Sequence, residues 1–142
     1  MAGLFRDRPT LESLNARCAG TALEAMGIVF TELGEDFLRG TMPVDRRTLQ
    51  PYGLLHGGAS VVLAETLGSL AANLCLEDQV NQQAVGIEIN ANHLRAVTEG
   101  VVTGTARPVH VGRSTQVWDI RIEDDRGRPV CVSRLTLAVR GN

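Results

Sequence analysis

The sequence predicts an α+β fold in which a curved antiparallel sheet wraps around one long central helix. Apolar residues cover most of the circumference of the helix predicted over residues 56–76. A helix that is apolar nearly all round must be surrounded by the rest of the protein. Four predicted strands follow it, joined by short connections, which favours antiparallel pairing in a single sheet.

The segments before the long helix predict a helical region and a β-hairpin. Residues 10–25 have apolar positions at helical spacing and predict one or two short helices, which end at Gly27. Residues 28–33 and 37–44 are β-branched and aromatic enough for two strands separated by a turn. Residues 45–55, punctuated by proline and glycine, predict a loop that leads into the long helix.

The segments after the long helix predict the rest of the sheet. Acidic and polar residues over 77–83 are expected to close the helix. Strands are predicted over residues 85–94, 101–111, 115–123 and 130–139. The last three are long and connected by short turns, so an antiparallel meander is the natural pairing.

Length and charge indicate an ordinary globular domain. The 142 residues fit one domain spanning 1–142, and the formal net charge of −2 favours neither nucleic acid nor an anionic membrane as a partner. All 14 basic residues are Arg, which excludes a P-loop, a pyridoxal phosphate Schiff base and a lysine nucleophile. The polar start (residues 1–9) is unlike a signal peptide, and polar residues interrupt the apolar stretch 59–76, so we expect no membrane span.

The three cysteines, Cys18, Cys75 and Cys131, lie far apart in the sequence. Their odd number and the absence of a CxxC spacing argue against a disulfide framework and against a structural zinc site. We expect free thiols in a reducing cytoplasm. His93 and His110 lack metal-ligand spacing, so neither a metal nor another cofactor is predicted.

Glu65 is the most informative residue of the long helix, because apolar residues flank it. A carboxylate in apolar surroundings must be paired, neutralised or used, since isolated burial is costly. Ser69 and Asn73 follow at i+4 and i+8 and form one polar stripe with Glu65. Two interpretations stay open at this point: a catalytic carboxylate, or a stripe that faces solvent or a subunit contact.

His56, Gly57 and Gly58 open the long helix. Two glycines leave backbone N–H groups uncovered, and these groups, with the positive end of the helix dipole, can bind a developing oxyanion. Gln50 and His56 lie in the loop before the helix and can add side-chain contacts. The alternative is that the glycines only permit tight packing and that His56 is a cap or a core residue.

His93, Arg95, Arg113 and Ser114 are weaker candidates for a binding site. They lie at strand ends and turns, where Arg can donate two hydrogen bonds to a phosphate. The alternative is that they are simply solvated. A Gly-x-Ser-x-Gly elbow is absent from the sequence, which argues against an α/β-hydrolase mechanism.

Residues 50–59 (QPYGLLHGGA), followed by Glu65 and Ser69 on the helix, resemble the hotdog-fold acyl-CoA thioesterases. The resemblance is closest to the branch with the 4-hydroxybenzoyl-CoA, 1,4-dihydroxy-2-naphthoyl-CoA and enterobactin proofreading thioesterases. Three further segments match that branch: 88–93, 109–113 and 127–136. The match therefore extends over essentially the whole chain, and the HGG element combined with Gln50, Glu65 and Ser69 makes it selective.

This resemblance implies hydrolysis of an aromatic acyl thioester by a homodimer that assembles into a homotetramer. The active site would lie at the subunit boundary. There the Gly57 N–H, Gln50 and His56 of one subunit would hold the thioester. Glu65 of the other subunit would act as general base or nucleophile, with Ser69 positioning it or the attacking water.

The resemblance also implies that the pantetheine arm of CoA threads between subunits. The candidate substrate and CoA contacts are Gly58, His93, Arg95, Arg113 and Ser114. Alternative functions are hydrolysis of misacylated thioesters on an acyl or aryl carrier protein, and non-catalytic binding of acyl-CoA. A hydratase on the same fold is a further alternative, although the His and Asp motif typical of those enzymes is not found.

Overall fold

The computed structural model describes residues 3–141, so Met1, Ala2 and Asn142, the ends of the predicted domain, lie outside the described residues. Its order of elements confirms the predicted one, with two short helices before the hairpin. In chain order they are α1 (Leu11–Ala16), α2 (Ala22–Met26), β1 (Val29–Leu33), β2 (Leu38–Pro43), α3 (Gly57–Leu74), β3 (Gln82–His93), β4 (Val101–Val111), β5 (Thr115–Glu123) and β6 (Pro129–Gly141).

The six strands form one antiparallel sheet in the order β1-β2-β4-β5-β6-β3. Strands β1 and β3 are therefore its two edges. Helix α3 packs against β2, β3, β4, β5 and β6, on the concave face. Leu63 and Leu67 of α3 are fully buried against a core that includes Trp118, Ile120 and Leu135. This arrangement confirms the predicted α+β fold with a central helix.

Strand β3 begins three residues earlier than the sequence predicts. Residues 82 and 83 were expected in the polar segment that closes the helix, whereas Gln82 pairs with Gly141 and Gln83 with Arg140 of β6, and Ala84 pairs with Val139. Strand β6 is correspondingly longer than predicted, so the long pairing of β3 with β6 accounts for both differences.

The core holds a small polar network that the sequence did not indicate. Trp118 donates its indole N–H to Gln116 Oε1 over 2.8 Å, and Gln116 Nε2 donates to the Ala72 carbonyl of α3 over 3.2 Å. Both side chains are fully buried, so each needs this partner. The network ties strand β5 to the last turns of α3.

The three cysteines are free and buried. Burial raises the pKa of the Cys75 thiol to about 12 and raises the pKa of Cys131. These thiols are therefore protonated near neutral pH. Within residues 3–141, none of the helices combines the length and the apolarity needed to span a bilayer.

Candidate active site

The loop before α3 holds Gln50 in a fixed position. The Gln50 backbone N–H donates to the Leu54 carbonyl over 2.8 Å, and its carbonyl accepts from the Gly53 N–H over 2.9 Å. Gly53 has a φ of +81°, which glycine adopts without strain. The side-chain Oε1 of Gln50 accepts the backbone N–H of Tyr52. The Nε2 group of Gln50 is therefore the part of the amide left to donate to a ligand.

His56 caps the N-terminus of α3. Its Nδ1 accepts the Gly58 N–H over 2.8 Å, and its carbonyl accepts from Ala59 and Ser60. A neutral imidazole with an accepting Nδ1 carries its proton on Nε2, so His56 presents an N–H donor to solvent. Gly58, a predicted substrate contact, has its N–H engaged by this cap. The Gly57 N–H has no acceptor within the described part of the chain.

His93, at the end of β3, packs on the backbone of Gly57. A Cβ added to Gly57 would lie 2.8 Å from His93 Nε2, so only glycine permits this approach. The structure brings four of the predicted residues to one pocket: Gln50, Gly57, His93 and Arg95. Its other lining residues are Leu54, Leu55, Ser60, Leu94, Ala96 and Val130. We call Gln50, His56, Gly57 and His93 the donor half-site, since each can offer an N–H group.

Glu65 projects from the face of α3 that meets β3. A Cβ added to Gly86 would lie 2.5 Å from Glu65 Oε2, so the carboxylate lies directly against the β3 backbone. It has no hydrogen bond or ion pair with any residue between 3 and 141. Every fully buried side-chain oxygen in this range has a hydrogen-bond partner. Because the Glu65 oxygens have none, they must reach solvent. The half-buried carboxylate is therefore open to a ligand or a water.

Glu65, Ser69 and Gly86 form what we call the carboxylate half-site. Ser69 follows Glu65 by one turn of α3, on the same face. Within one chain, Glu65 lies eight residues from Gly57, or about 12 Å along the helix axis. A single copy of the chain therefore does not place the carboxylate beside the free N–H.

Arg113 and Ser114 lie apart from the donor half-site of the same chain. The Ser114 carbonyl accepts from Val139, which pairs with Ala84 near the start of β3, whereas His93 ends that strand. Neither Arg95 nor Arg113 forms an ion pair among residues 3–141. Both guanidinium groups are exposed, and their role as CoA contacts stays a prediction.

Sequence reasoning missed Gly86 as a residue of the site. Strand β3 has a register shift between Gly86 and Glu88, where one extra residue interrupts the pairing with β6. A glycine inside a strand pattern often marks such a bulge or a close backbone approach. The available signal was therefore the single glycine in the apolar sequence Val85-Gly86-Ile87.

Both the sequence and the fold match known proteins over nearly the whole chain. A model described as "Thioesterase superfamily" matches residues 52–131, more than half of the chain. This chain belongs to the thioesterase superfamily. The thioesterase is 54% identical over 138 residues to the proofreading thioesterase EntH of Cronobacter sakazakii, covering 97% of this chain and 99% of that protein.

Two further matches agree. The 1,4-dihydroxy-2-naphthoyl-CoA hydrolase of Escherichia coli K12 is 52% identical over 136 residues, covering 96% of this chain and 98% of that protein. A crystal structure of a thioesterase from Haemophilus influenzae superposes with a TM-score of 0.94 at 51% identity, covering 97% of this chain and 95% of that one. The predicted hotdog fold and thioester hydrolase activity are thereby confirmed.

Proposed function

We propose that this thioesterase hydrolyses aromatic acyl-CoA thioesters at a site shared by two copies of the chain. The observation that carries the proposal is the separation of the two half-sites. A free N–H donor and an open carboxylate lie on one helix, about 12 Å apart along its axis, so each needs its complement from a second copy. The name of the E. coli relative, a naphthoyl-CoA hydrolase, supports an aromatic acyl group and CoA.

The exposed edge of β3 supports a dimer that completes the site. Val85, Ile87 and Leu94 are 38%, 58% and 54% exposed along or just after this strand. Exposed apolar residues on an unpaired edge are typical of a strand that pairs with another chain. Antiparallel pairing of two β3 strands about a twofold axis near Asn90 places Gly86 of one copy beside His93 of the other. The carboxylate half-site then meets the donor half-site.

In this arrangement the chemistry follows from the groups present. The thioester carbonyl oxygen accepts the Gly57 N–H, with Gln50 Nε2 and His56 Nε2–H as further donors. Glu65 of the second copy removes a proton from water, which attacks the carbonyl carbon. The C–S bond then breaks, and the proton held by Glu65 goes to the thiolate. Label from ¹⁸O-water found in Glu65 after one turnover would instead show direct attack and a mixed anhydride.

The substrate is tested with a panel of aryl and alkyl thioesters of CoA and of carrier proteins, compared by kcat/KM. Thiol release is measured with a thiol reagent, to which the buried Cys18, Cys75 and Cys131 contribute little. We expect the highest kcat/KM for aryl-CoA. A preference for carrier-protein thioesters would support the second candidate, which the similarity to a proofreading thioesterase favours. Binding of the esters without cleavage would contradict both.

The shared site is tested by mixing two inactive variants, Glu65→Gln and Gln50→Ala. In a mixed dimer one site carries both changes and the other carries neither, so roughly a quarter of wild-type activity returns at equal mixing. No recovery after subunit exchange would show that each chain holds its own complete site. Light scattering of the same samples measures whether dimers assemble further into the expected tetramer.

A further inference from the structure

Asn73 holds the edge strand β3 against α3 with its side-chain amide. Oδ1 accepts the Ala84 N–H over 2.9 Å, and Nδ2 donates to the Ala84 carbonyl over 3.0 Å. The same Nδ2 also donates to the Ser69 carbonyl over 2.8 Å. Three of the hydrogen-bonding groups of this amide are thus used, and they connect the Ser69 turn of α3 to the strand.

Ala84 lies on the edge strand β3, so its contact with Asn73 affects which part of that edge is open. The N–H and carbonyl that bind Asn73 face away from β6, since successive residues of an antiparallel strand point their polar groups to opposite sides. Asn73 therefore occupies the open edge of β3 at Ala84. Two residues further on, Gly86 lies against the Glu65 carboxylate.

We propose that Asn73 is a positioning residue that sets the place of β3 along α3, and thereby fixes the β3 backbone against Glu65. This inference rests on the proposed function of Glu65. The hydrogen bonds of Asn73 go to backbone groups of Ala84 and Ser69, so it acts through the strand. By occupying the edge at Ala84 it also confines pairing with a second copy to residues 86–93, whose midpoint lies between Ile89 and Asn90.

The chain offers a matched control at the other edge of the sheet. Asn15 of α1 makes the same pair of hydrogen bonds to Phe30 of β1: Oδ1 accepts the N–H over 2.8 Å, and Nδ2 donates to the carbonyl over 3.0 Å. In both cases a half-buried asparagine side chain on a helix binds the backbone of an edge strand. The contact of Asn73 adjoins the carboxylate half-site and includes one further hydrogen bond, to the Ser69 carbonyl, whereas that of Asn15 lies at the opposite edge. The two substitutions therefore remove the same pair of strand contacts at different places.

The test compares Asn73→Ala with Asn15→Ala in the full chain, with an aryl-CoA substrate. We expect Asn73→Ala to lower kcat about 10- to 100-fold with little change in KM, because a small misplacement of a reacting group has an effect of that size. Asn15→Ala should lower the melting temperature by a similar amount while kcat stays at the wild-type value. Equal kcat in the two variants would overturn the proposal.

Hydrogen exchange in the wild-type protein provides a measurement that does not depend on how well a variant folds. The Ala84 amide faces the sheet edge, yet it should exchange slowly because Asn73 accepts its hydrogen. Fast exchange at Ala84 would show that the contact does not persist in solution and would also overturn the proposal. If Glu65→Gln turns over like the wild type, the proposed function fails, while slow exchange at Ala84 still identifies the contact.

Discussion

The two edges of the sheet are finished in different ways. Strand β1 has only five residues; the side chain of Asn15 covers its polar groups at Phe30, and that of Arg8 binds the carbonyls of Leu33 and of Gly34, which follows the strand. Strand β3 has twelve residues, and within the described chain a side chain covers its edge only at Ala84. A short, covered edge resists pairing with another chain, whereas a long, open edge invites it.

This difference shows which part of the molecule is built for function. At the β1 edge, Arg8 and Asn15 of the same chain bind the backbone groups, as expected for an edge that only stabilises the fold. The β3 edge leaves apolar side chains and the Glu65 carboxylate open, an arrangement that costs stability unless a second copy or a ligand covers it. Changes of the same kind at the two edges should therefore affect stability at β1 and activity at β3.

The largest effect is expected from Glu65→Gln, matched by Glu32→Gln on β1. The first change keeps the volume and removes the base, so kcat should fall by about 10²- to 10⁴-fold while substrate binding is retained. Glu32 forms an exposed ion pair with Arg39 over 2.7 Å, and its loss should leave kcat unchanged. Steady-state kinetics checks both; wild-type turnover of Glu65→Gln would remove this residue from the chemistry.

The next effect concerns assembly. Ile87 is 58% exposed on β3 and Val29 is 45% exposed on β1. In a dimer joined through β3, Ile87→Lys replaces an apolar contact with a charge that loses its solvent, which costs about 3 kcal/mol or more and weakens the dimer by roughly 100-fold or more. Val29→Lys should leave the dimer intact. Analytical ultracentrifugation over a concentration series separates the two, and dissociation caused by Val29→Lys alone would place the dimer contact at the other edge.

A smaller effect is expected from adding one methyl group on the edge strand β3 and one on β2, directly beside the edge strand β1. Gly86→Ala puts a Cβ against the mobile end of Glu65 and should lower kcat about 10- to 100-fold with little loss of stability. Gly40→Ala puts a Cβ 2.9 Å from the Val29 carbonyl and 3.0 Å from Leu67 Cδ2, where the backbone does not yield. It should cost about 1–3 kcal/mol of unfolding free energy in denaturant titrations and leave kcat unchanged. The reverse pattern would contradict this assignment.

Local patterns were enough to predict α3, the meander and the identity of Glu65 as a candidate. Helical periodicity, turn residues and a lone carboxylate among apolar residues are all visible in short windows of sequence. The loop residues Gln50, His56 and Gly57 were predicted from the same kind of local signal, and the structure gathers Gln50 and Gly57 in one pocket.

Contacts between distant segments could not be predicted in this way. The contact of Glu65 with Gly86, and of Gly57 with His93, depends on where β3 lies along α3. The bulge after Gly86 changes which residues of β3 face the helix, so simple alternation misassigns part of the strand. Residues 82 and 83 look like the end of a polar loop, and only their pairing with β6 makes them part of a strand. Ala84 is held there by the same pairing and by the Asn73 contact.

The smallest expected effect uses the buried thiols as reporters of the two edges. Burial, with a contribution from Glu24, raises the pKa of Cys18 above its usual 9.0, and burial raises that of Cys75 to about 12. Because only the thiolate reacts, wild-type labelling should be slow at pH 8 and still rising with pH beyond 9. Asn15→Ala should raise the rate at Cys18 about tenfold, since it loosens α1, and Asn73→Ala should do so at Cys75. Mass spectrometry identifies the labelled cysteine, and equal gains at both thiols in either variant would mean that the two edges open as one cooperative unit.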